Sequence, residues 1–150
     1  MTHTPPLDAP IIEVVIEVPR GSFVKRDGQG RLEFLSPLPC PFNYGSVPAL
    51  PAPDGDALDA VLLGPRGAVG QRMRMPVQAV VLFVDDGLQD DKLICANEPL
   101  SSAEQARVLR FFHFYALCKR LMNLARGRRG ATRCLGWGDA ASTLAGRPPF

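Results

Sequence analysis

The sequence lacks the features that build disulfide frameworks. Its four cysteines, Cys40, Cys95, Cys118 and Cys134, are widely separated, and no two of them have the CxxC spacing. A scattered set of this kind predicts free thiols rather than disulfide bonds. We therefore expect a reducing compartment, the cytoplasm.

The sequence also lacks a charge excess and a long apolar run. The net charge is only +2 at pH 7, so composition does not indicate nucleic acid or an anionic membrane as a partner. The longest apolar run, residues 77–84, is much shorter than the roughly 20 residues of a membrane-spanning helix. The first ten residues lack the basic segment and apolar stretch of an export signal. We expect neither nucleic acid nor membrane as a partner.

The length and composition predict a single domain over residues 1–150. A chain of 150 residues with 46% hydrophobic residues can bury a substantial core. Residues 1–10 are polar and rich in proline, and residues 128–150 read as loop and tail. We expect both segments to be peripheral.

Short apolar runs predict many short strands. The run at residues 11–18 is β-branched and stops at Pro19, and residues 23–25 and 32–35 flank a glycine-containing turn typical of a hairpin. Further runs predict strands at residues 60–63, 68–75, 77–84 and 93–96. Prolines and small residues predict an irregular segment at 37–53, with a tight turn at 43–45. Many short strands at this spacing predict a small barrel.

One long helix is predicted at residues 101–126. Ser101 and Glu104 have the spacing of a capping box, and Gly127 follows the last residue. Its predicted apolar side contains Val108, Phe111, Phe112, Tyr115, Leu121 and Met122.

Seven of the fifteen acidic residues lie in two short windows, DGDALD and VDDGLQDDK. They are Asp54, Asp56, Asp59, Asp85, Asp86, Asp90 and Asp91. Crowded carboxylates repel one another, so the pattern favours bound cations. With no nearby Cys or His the ligands are oxygens, which suit Mg²⁺, Mn²⁺ or Ca²⁺ and argue against zinc. The alternatives are a solvated acidic loop and a charged hairpin tip that Lys92 merely neutralises.

Other polar residues are candidates for contacts with an anionic ligand. The chain has only three lysines, and Lys92 follows Asp90 by two residues. Tyr44 and Tyr115 are the only tyrosines, and either is a hydroxyl donor or a packing residue. A basic patch after the helix is a solvated face or a contact for an anionic partner. This patch contains Arg126, Arg128, Arg129 and Arg133.

Five segments occur in a characteristic order: IEVPRGSFVK, PFNYGSVP, DGDALD, DDGLQDDK and FFHFY. From about Ile11 to about Gly127 they resemble the signatures of the family I soluble inorganic pyrophosphatases, although DGDALD has Ala57 where the family has proline. The resemblance implies a mainly β fold with α (α+β), an OB-like barrel with flanking helices and one long C-terminal helix. It also implies a homo-oligomeric, Mg²⁺-dependent inorganic diphosphatase that hydrolyses pyrophosphate to two phosphates, with Mn²⁺ as an alternative metal.

The resemblance also implies residue roles. Asp56 matches the residue that takes a proton from the attacking water. The implied metal site consists of Asp54, Asp59, Asp85 and Asp90 as ligands, with Asp27 and Glu17 in supporting positions. The residues implied to hold phosphate oxygens are Lys25, Tyr44, Lys92 and Tyr115.

The chain departs from the family pattern at the phosphate-binding positions. The stretch LEFLSPLPCPFNYG has no arginine where the family normally places one before the FNYG motif. Cys40 stands where a tyrosine is usual, and Ala116 stands where a lysine is usual. Asp86 and Asp27 are each one methylene shorter than the usual glutamate. The arginines considered as replacements are Arg31, Arg72 and Arg74.

Two other functions follow from these departures. One is hydrolysis of another phosphoanhydride, with Cys40 and Ala116 making room for a larger group. The other is a weakly active relative that binds metal or phosphate.

Overall fold

The computed structural model describes residues 9–22, 24–26, 31–35, 39–51 and 55–144. Nine strands and two helices lie in this part of the chain. They are β1 (Ile11–Val18), β2 (Val24–Arg26), β3 (Leu32–Leu35), β4 (Asn43–Pro51), β5 (Ala57–Leu62), β6 (Arg72–Asp85), β7 (Leu88–Gln89), β8 (Lys92–Cys95), α1 (Ser102–Ala125), β9 (Arg133–Gly138) and α2 (Ala140–Leu144).

Five strands close into a barrel in the order β1, β4, β5, β8, β6 and back to β1. The strand β1 closes the ring because residues 11–15 pair with β6, whereas residues 15–18 pair with β4. The pair β5–β8 is parallel, and the other pairs of the ring are antiparallel. The predicted small barrel and the predicted fold class are confirmed.

Apolar side chains cover both faces of the barrel wall. Successive residues of a strand point to opposite faces. In β8, Leu93 therefore joins a cluster with Val14 and Val80, whereas Ile94 joins a cluster with Phe83 and Phe112 of α1. The first cluster is made by the barrel strands, and the second lies between the barrel and α1. Lys92, two residues before Ile94, points to the α1 side.

The helix α1 begins as the sequence predicts. The Glu104 amide donates to Ser101 Oγ at 3.1 Å, and the Ser101 amide donates to Glu104 Oε1 at 3.0 Å, which completes the capping box. Leu121 is 60% exposed, so its predicted place on the buried side was wrong. In the last turns the barrel-facing positions belong to Lys119 and Asn123, which are both buried.

The segment predicted to be irregular contains the central strand β4. A turn at residues 43–45 was wrong because these residues are extended and pair with β5 and, in part, with β1. A Cβ atom on Gly45 would collide with the carbonyl oxygen of Val15 in the neighbouring strand. Gly45 is therefore required by the close approach of β1 and not by a turn.

Two other sequence predictions differ from the structure. Residues 72–75 of the first predicted strand and the whole of the second, 77–84, form the single strand β6, which continues through Pro76, whereas residues 68–71 are not in a strand. Proline is tolerated there because β6 changes its partner at that residue, from β1 to β8. The segment interpreted as a tail contains β9, which pairs with β6, and then α2. The predicted hairpin is confirmed as the pair β2–β3.

No helix in the described part of the chain is long and apolar enough to cross a membrane.

Candidate active site

The two acidic windows meet because of the register between β5 and β8. Asp59 in β5 is the direct partner of Lys92 in β8, and Asp90 lies two residues before Lys92. Lys92 Nζ donates to Asp59 Oδ2 at 2.6 Å and to Asp90 Oδ2 at 2.8 Å. Two carboxylates from different windows therefore converge on one ammonium group.

Lys92 is fully buried on the α1 side of the barrel. Its Nζ lies 5.8 Å from the ring centroid of Tyr44, 5.2 Å from that of Phe83 and 5.7 Å from that of Tyr115. Burial opposes the charged form, but the adjacent carboxylates outweigh it and raise the pKa of Lys92 well above its ordinary value. Lys92 is therefore a cation at neutral pH.

Two buried tyrosines border this centre. Tyr44 Oη donates to Asp59 Oδ2 at 2.8 Å, and the Tyr44 and Tyr115 rings are stacked with centroids 6.4 Å apart. Burial and the negative charge of Asp59 raise the pKa of Tyr44 well above its ordinary value. Tyr44 therefore keeps its proton and is a hydrogen-bond donor at neutral pH.

Asp85, at the end of β6, is held by α1 and by the segment before β9. Asn123 Nδ2 donates to Asp85 Oδ1 at 2.8 Å, and Lys119 Nζ lies 3.4 Å from Asp85 Oδ2. Thr132 Oγ1 donates to Asp85 Oδ1 at 3.5 Å and accepts from Asn123 Nδ2 at 3.1 Å. Sequence reasoning missed Lys119, Asn123 and Thr132. The spacing of four residues from Tyr115 to Lys119 and on to Asn123 is a signal for one shared helix side, whereas Thr132 carries no such signal.

The turn after Asp85 is fixed by the segment before β9. Asp86 has a left-handed backbone with φ of 51°, its amide donates to Thr132 Oγ1 at 3.0 Å, and its Oδ1 accepts from the Gly130 amide at 2.8 Å. A Cβ atom on Gly130 would collide with Asp86. The contacts of residues 130–132 thus hold this turn and the Asp85 carboxylate beside it in place.

The remaining predicted site residues lie as follows. Asp56 is exposed directly before β5, and Glu17 is half-buried in β1. Lys25 lies in β2. Asp27 and Asp54 lie outside the described residues. The structure thus brings together Tyr44, Asp59, Asp90, Lys92 and Tyr115.

The positions that depart from the family pattern are filled. Cys40 and Ala116 are 7% and 4% exposed and belong to the apolar cluster beneath α1, so they do not open room for a larger substrate group. Arg72 pairs with Glu13 at 3.1 Å and lies at the opposite end of β6 from Asp85. About 40 Å of extended chain separates these ends. Arg72 is therefore not the replacement for the missing arginine, and Arg74, only two residues further along β6, lies in the same region.

The donor chemistry fits a hard divalent cation. Asp59, Asp90 and Asp85 offer carboxylate oxygens, and the first two already share one positive charge. Within the part of the chain that the structure describes, no group of three His, Cys, Asp or Glu side chains forms a complete metal site. The residues therefore fit a divalent metal in the type of their ligand atoms and in their negative charge.

Fold and site together define a closed barrel with an acidic centre around a buried lysine beneath a long helix. A sequence model described as inorganic pyrophosphatase matches residues 14–122. The inorganic pyrophosphatase of Neisseria meningitidis serogroup B is 33% identical over 153 residues, which cover 89% of this chain and 83% of that protein. The chain therefore belongs to the inorganic pyrophosphatase family, as its sequence motifs predict.

Solved structures agree with this assignment. The inorganic pyrophosphatase from Neisseria gonorrhoeae is 27% identical with a TM-score of 0.64, and the match covers 95% of this chain and 90% of that one. The enzyme from Helicobacter pylori, at 21% identity, shares the fold with a TM-score of 0.72 over 97% of this chain and 94% of that one.

Proposed function

We propose that this protein is an inorganic diphosphatase that hydrolyses pyrophosphate to two phosphates with Mg²⁺, or with Mn²⁺ in its place. The observation that carries the proposal is that the carboxylates of Asp59 and Asp90 converge on the ammonium group of Lys92, beside the hydroxyl of Tyr44. A centre that collects positive charge on oxygen ligands suits a substrate that arrives with divalent metal. Membership of the inorganic pyrophosphatase family supports the choice of substrate.

The proposed metal-holding residues are the carboxylates of the two acidic windows. They are Asp54, Asp59, Asp85 and Asp90, with Asp27 and Glu17 in support. When bound, divalent metal supplies positive charge that polarises the phosphate and acidifies the attacking water.

Asp56 is the proposed proton acceptor. It is exposed and lies three residues before Asp59 in the chain, so water can reach its carboxylate. Taking a proton from water as the water attacks phosphorus produces the nucleophile without a covalent enzyme intermediate. The attack then runs in line with the departing phosphate.

Lys25, Tyr44, Lys92 and Tyr115 are the proposed donors to phosphate oxygens. Lys92 is charged and Tyr44 is protonated at neutral pH, because both pKa values are raised. In the described structure the ammonium of Lys92 is used by Asp59 and Asp90. We propose that Lys92 exchanges one of these contacts for a phosphate oxygen and so balances the charge of the leaving group.

Lys119 is a proposed addition to this set. The family usually has a lysine directly after the position of Tyr115, where this chain has Ala116. Lys119 lies on the same helix one turn further on, and its ammonium is 3.4 Å from Asp85. It thereby provides a cation beside an acidic window without occupying the usual position.

Compartment, assembly and domain organisation remain proposals as well. The four cysteines are free, which supports a reducing cytoplasm. Leu117, Leu121 and Leu124 are each about half exposed or more on α1, and this apolar surface supports a homo-oligomer. We retain residues 1–150 as one domain.

Phosphate release from pyrophosphate, with and without Mg²⁺, tests the proposal in wild type and in Asp56→Asn. We expect Mg²⁺-dependent turnover in wild type and a loss of about 10²- to 10⁴-fold in the variant. Glu98→Gln, which alters an exposed carboxylate in the turn after β8, is the matched control and should keep wild-type turnover. Wild-type turnover in Asp56→Asn would refute its role. A folded wild-type chain that binds Mg²⁺ without turnover would favour another phosphoanhydride or a metal- or phosphate-binding protein.

A further inference from the structure

A cavity of about 330 Å³ lies between the end of α1 and the segment that leads into β9. Four arginines, Arg120, Arg128, Arg129 and Arg133, line it, and none of its lining residues is acidic or aromatic. It is separate from the centre formed by Asp59, Asp90 and Lys92.

The charges around this cavity favour an anion. Arginine stays protonated at every physiological pH, so four guanidinium groups repel one another unless negative charge lies between them. Arg120 is fixed by donating to the Thr132 carbonyl from Nε at 3.3 Å and from Nη2 at 3.0 Å. Arg128, Arg129 and Arg133 are exposed, and their side chains can turn toward a ligand. The planar guanidinium fork matches phosphate oxygens.

Asp85 and Asp86, whose carboxylates contact residues that line the cavity, do not cancel this charge. Asp85 is already engaged by Lys119 and Asn123, and Asp86 accepts the Gly130 amide. Four arginines together with Lys119 exceed the two aspartates, so the local balance stays positive.

The cavity shares its wall with the candidate active site. Asn123 and Thr132 line the cavity, and the same two side chains contact Asp85 at 2.8 Å and 3.5 Å. An anion in the cavity would therefore lie one side chain away from the carboxylate at the end of β6.

We infer that the arginine cavity is an additional subsite for a phosphate group. The absence of aromatic lining argues against a nucleobase, because bases in protein sites usually stack on aromatic rings. The phosphate group is either the outer group of a condensed phosphate longer than pyrophosphate or a separate phosphate ion. The first source rests on the proposed function, whereas the second does not.

Binding without turnover tests the subsite. Inorganic phosphate and tripolyphosphate are titrated calorimetrically into metal-free protein, in wild type and in the double variant Arg128→Gln/Arg129→Gln. Both positions lie outside helices and strands, so we expect the fold to persist. Arg107→Gln/Arg110→Gln removes the same charge from two exposed positions nearer the start of α1 and is the control.

We expect the Arg128→Gln/Arg129→Gln variant to bind these anions about 10-fold more weakly or worse, and the control to match wild type. Equal losses in both double variants would reduce the effect to net charge and overturn the inference. Unchanged binding in both would overturn it as well.

Kinetics then distinguish the two sources. A rise in KM for tripolyphosphate alone identifies the outer phosphate of a longer substrate. Weaker phosphate binding by the Arg128→Gln/Arg129→Gln variant, with an unchanged KM for pyrophosphate and for tripolyphosphate, identifies a separate phosphate ion. The titrations need no catalysis, so they test the subsite even if the protein does not hydrolyse pyrophosphate. If wild type hydrolyses pyrophosphate but the Arg128→Gln/Arg129→Gln variant binds the anions as wild type does, the subsite is refuted and the proposed function is not.

Discussion

Replacing Lys92 with methionine tests whether the ammonium holds the two acidic windows together. The substitution keeps a long apolar side chain but removes the charge between Asp59 and Asp90. Their side chains are only 13% and 16% exposed, so they would face each other with little water to screen them. Removing one partner of a buried ion pair costs about 3–5 kcal/mol. Because the two carboxylates retain some exposure, we expect a loss of about 3 kcal/mol in the free energy of unfolding.

Urea unfolding in the presence of a chelator measures this loss near neutral pH. Mg²⁺ should restore much of the stability, because a ligand at 100 times its Kd stabilises the native state by about 2.7 kcal/mol. Lys119→Met is the matched control. Its ion pair with Asp85 is longer, at 3.4 Å, and Asp85 is 21% exposed, so we expect a loss of only about 1 kcal/mol.

Two results would refute the reasoning. A loss below about 1 kcal/mol in Lys92→Met would mean that the buried carboxylates do not need the cation. The double variant Lys92→Met/Asp90→Asn leaves only one carboxylate of the pair. If repulsion between Asp59 and Asp90 causes the loss, this variant must be more stable than Lys92→Met alone, and equal or lower stability is the second refuting result.

Two further predictions concern the barrel itself. Gly45→Ala should lower the free energy of unfolding by about 3 kcal/mol, because its Cβ would collide with the Val15 carbonyl, whereas Ser46→Ala next to it should cost less than about 1 kcal/mol in the same urea experiment. A similar cost for both would contradict the close approach of β1 and β4. Burial raises the pKa of Cys95 from 9.0 to about 12, so above pH 9 the unfolded chain loses this proton and the folded chain keeps it. Wild type should therefore lose stability relative to Cys95→Ala by about 1.4 kcal/mol per pH unit between pH 9 and 12, and parallel pH profiles in urea unfolding would contradict the burial of this thiol.

Much of the barrel could be predicted because most of its strands are short runs of apolar or β-branched residues, which the sequence shows directly. The prediction of an irregular segment at 37–53 missed β4 because proline and glycine usually mark turns. Only the neighbouring strand β1 explains why glycine is needed at position 45. The strand β9 was not predicted because Arg133–Gly138 has two glycines and one exposed leucine and so lacks the apolar pattern of a strand. It is held by its pairing with β6.

The candidate site was partly predictable for a similar reason. The acidic windows and their positions near strand ends are local features of the sequence. The meeting of Asp59 and Lys92 depends on the register of two parallel strands, which no local pattern specifies. Lys119 and Asn123 were missed because polar residues on a helix are usually exposed, whereas here they face the carboxylate of Asp85.

The pairing of β5 with β8 also has a consequence for the order of folding. The Lys92–Asp59 contact joins residues 33 positions apart, and β6, which lies between them in the chain, must be placed beside β8 in the same ring. Contacts of such long range form slowly, because a large loop must be ordered before they stabilise the chain. The ion pair therefore requires β5 and β8 to lie side by side, and its appearance during refolding would mark the moment at which these two strands meet.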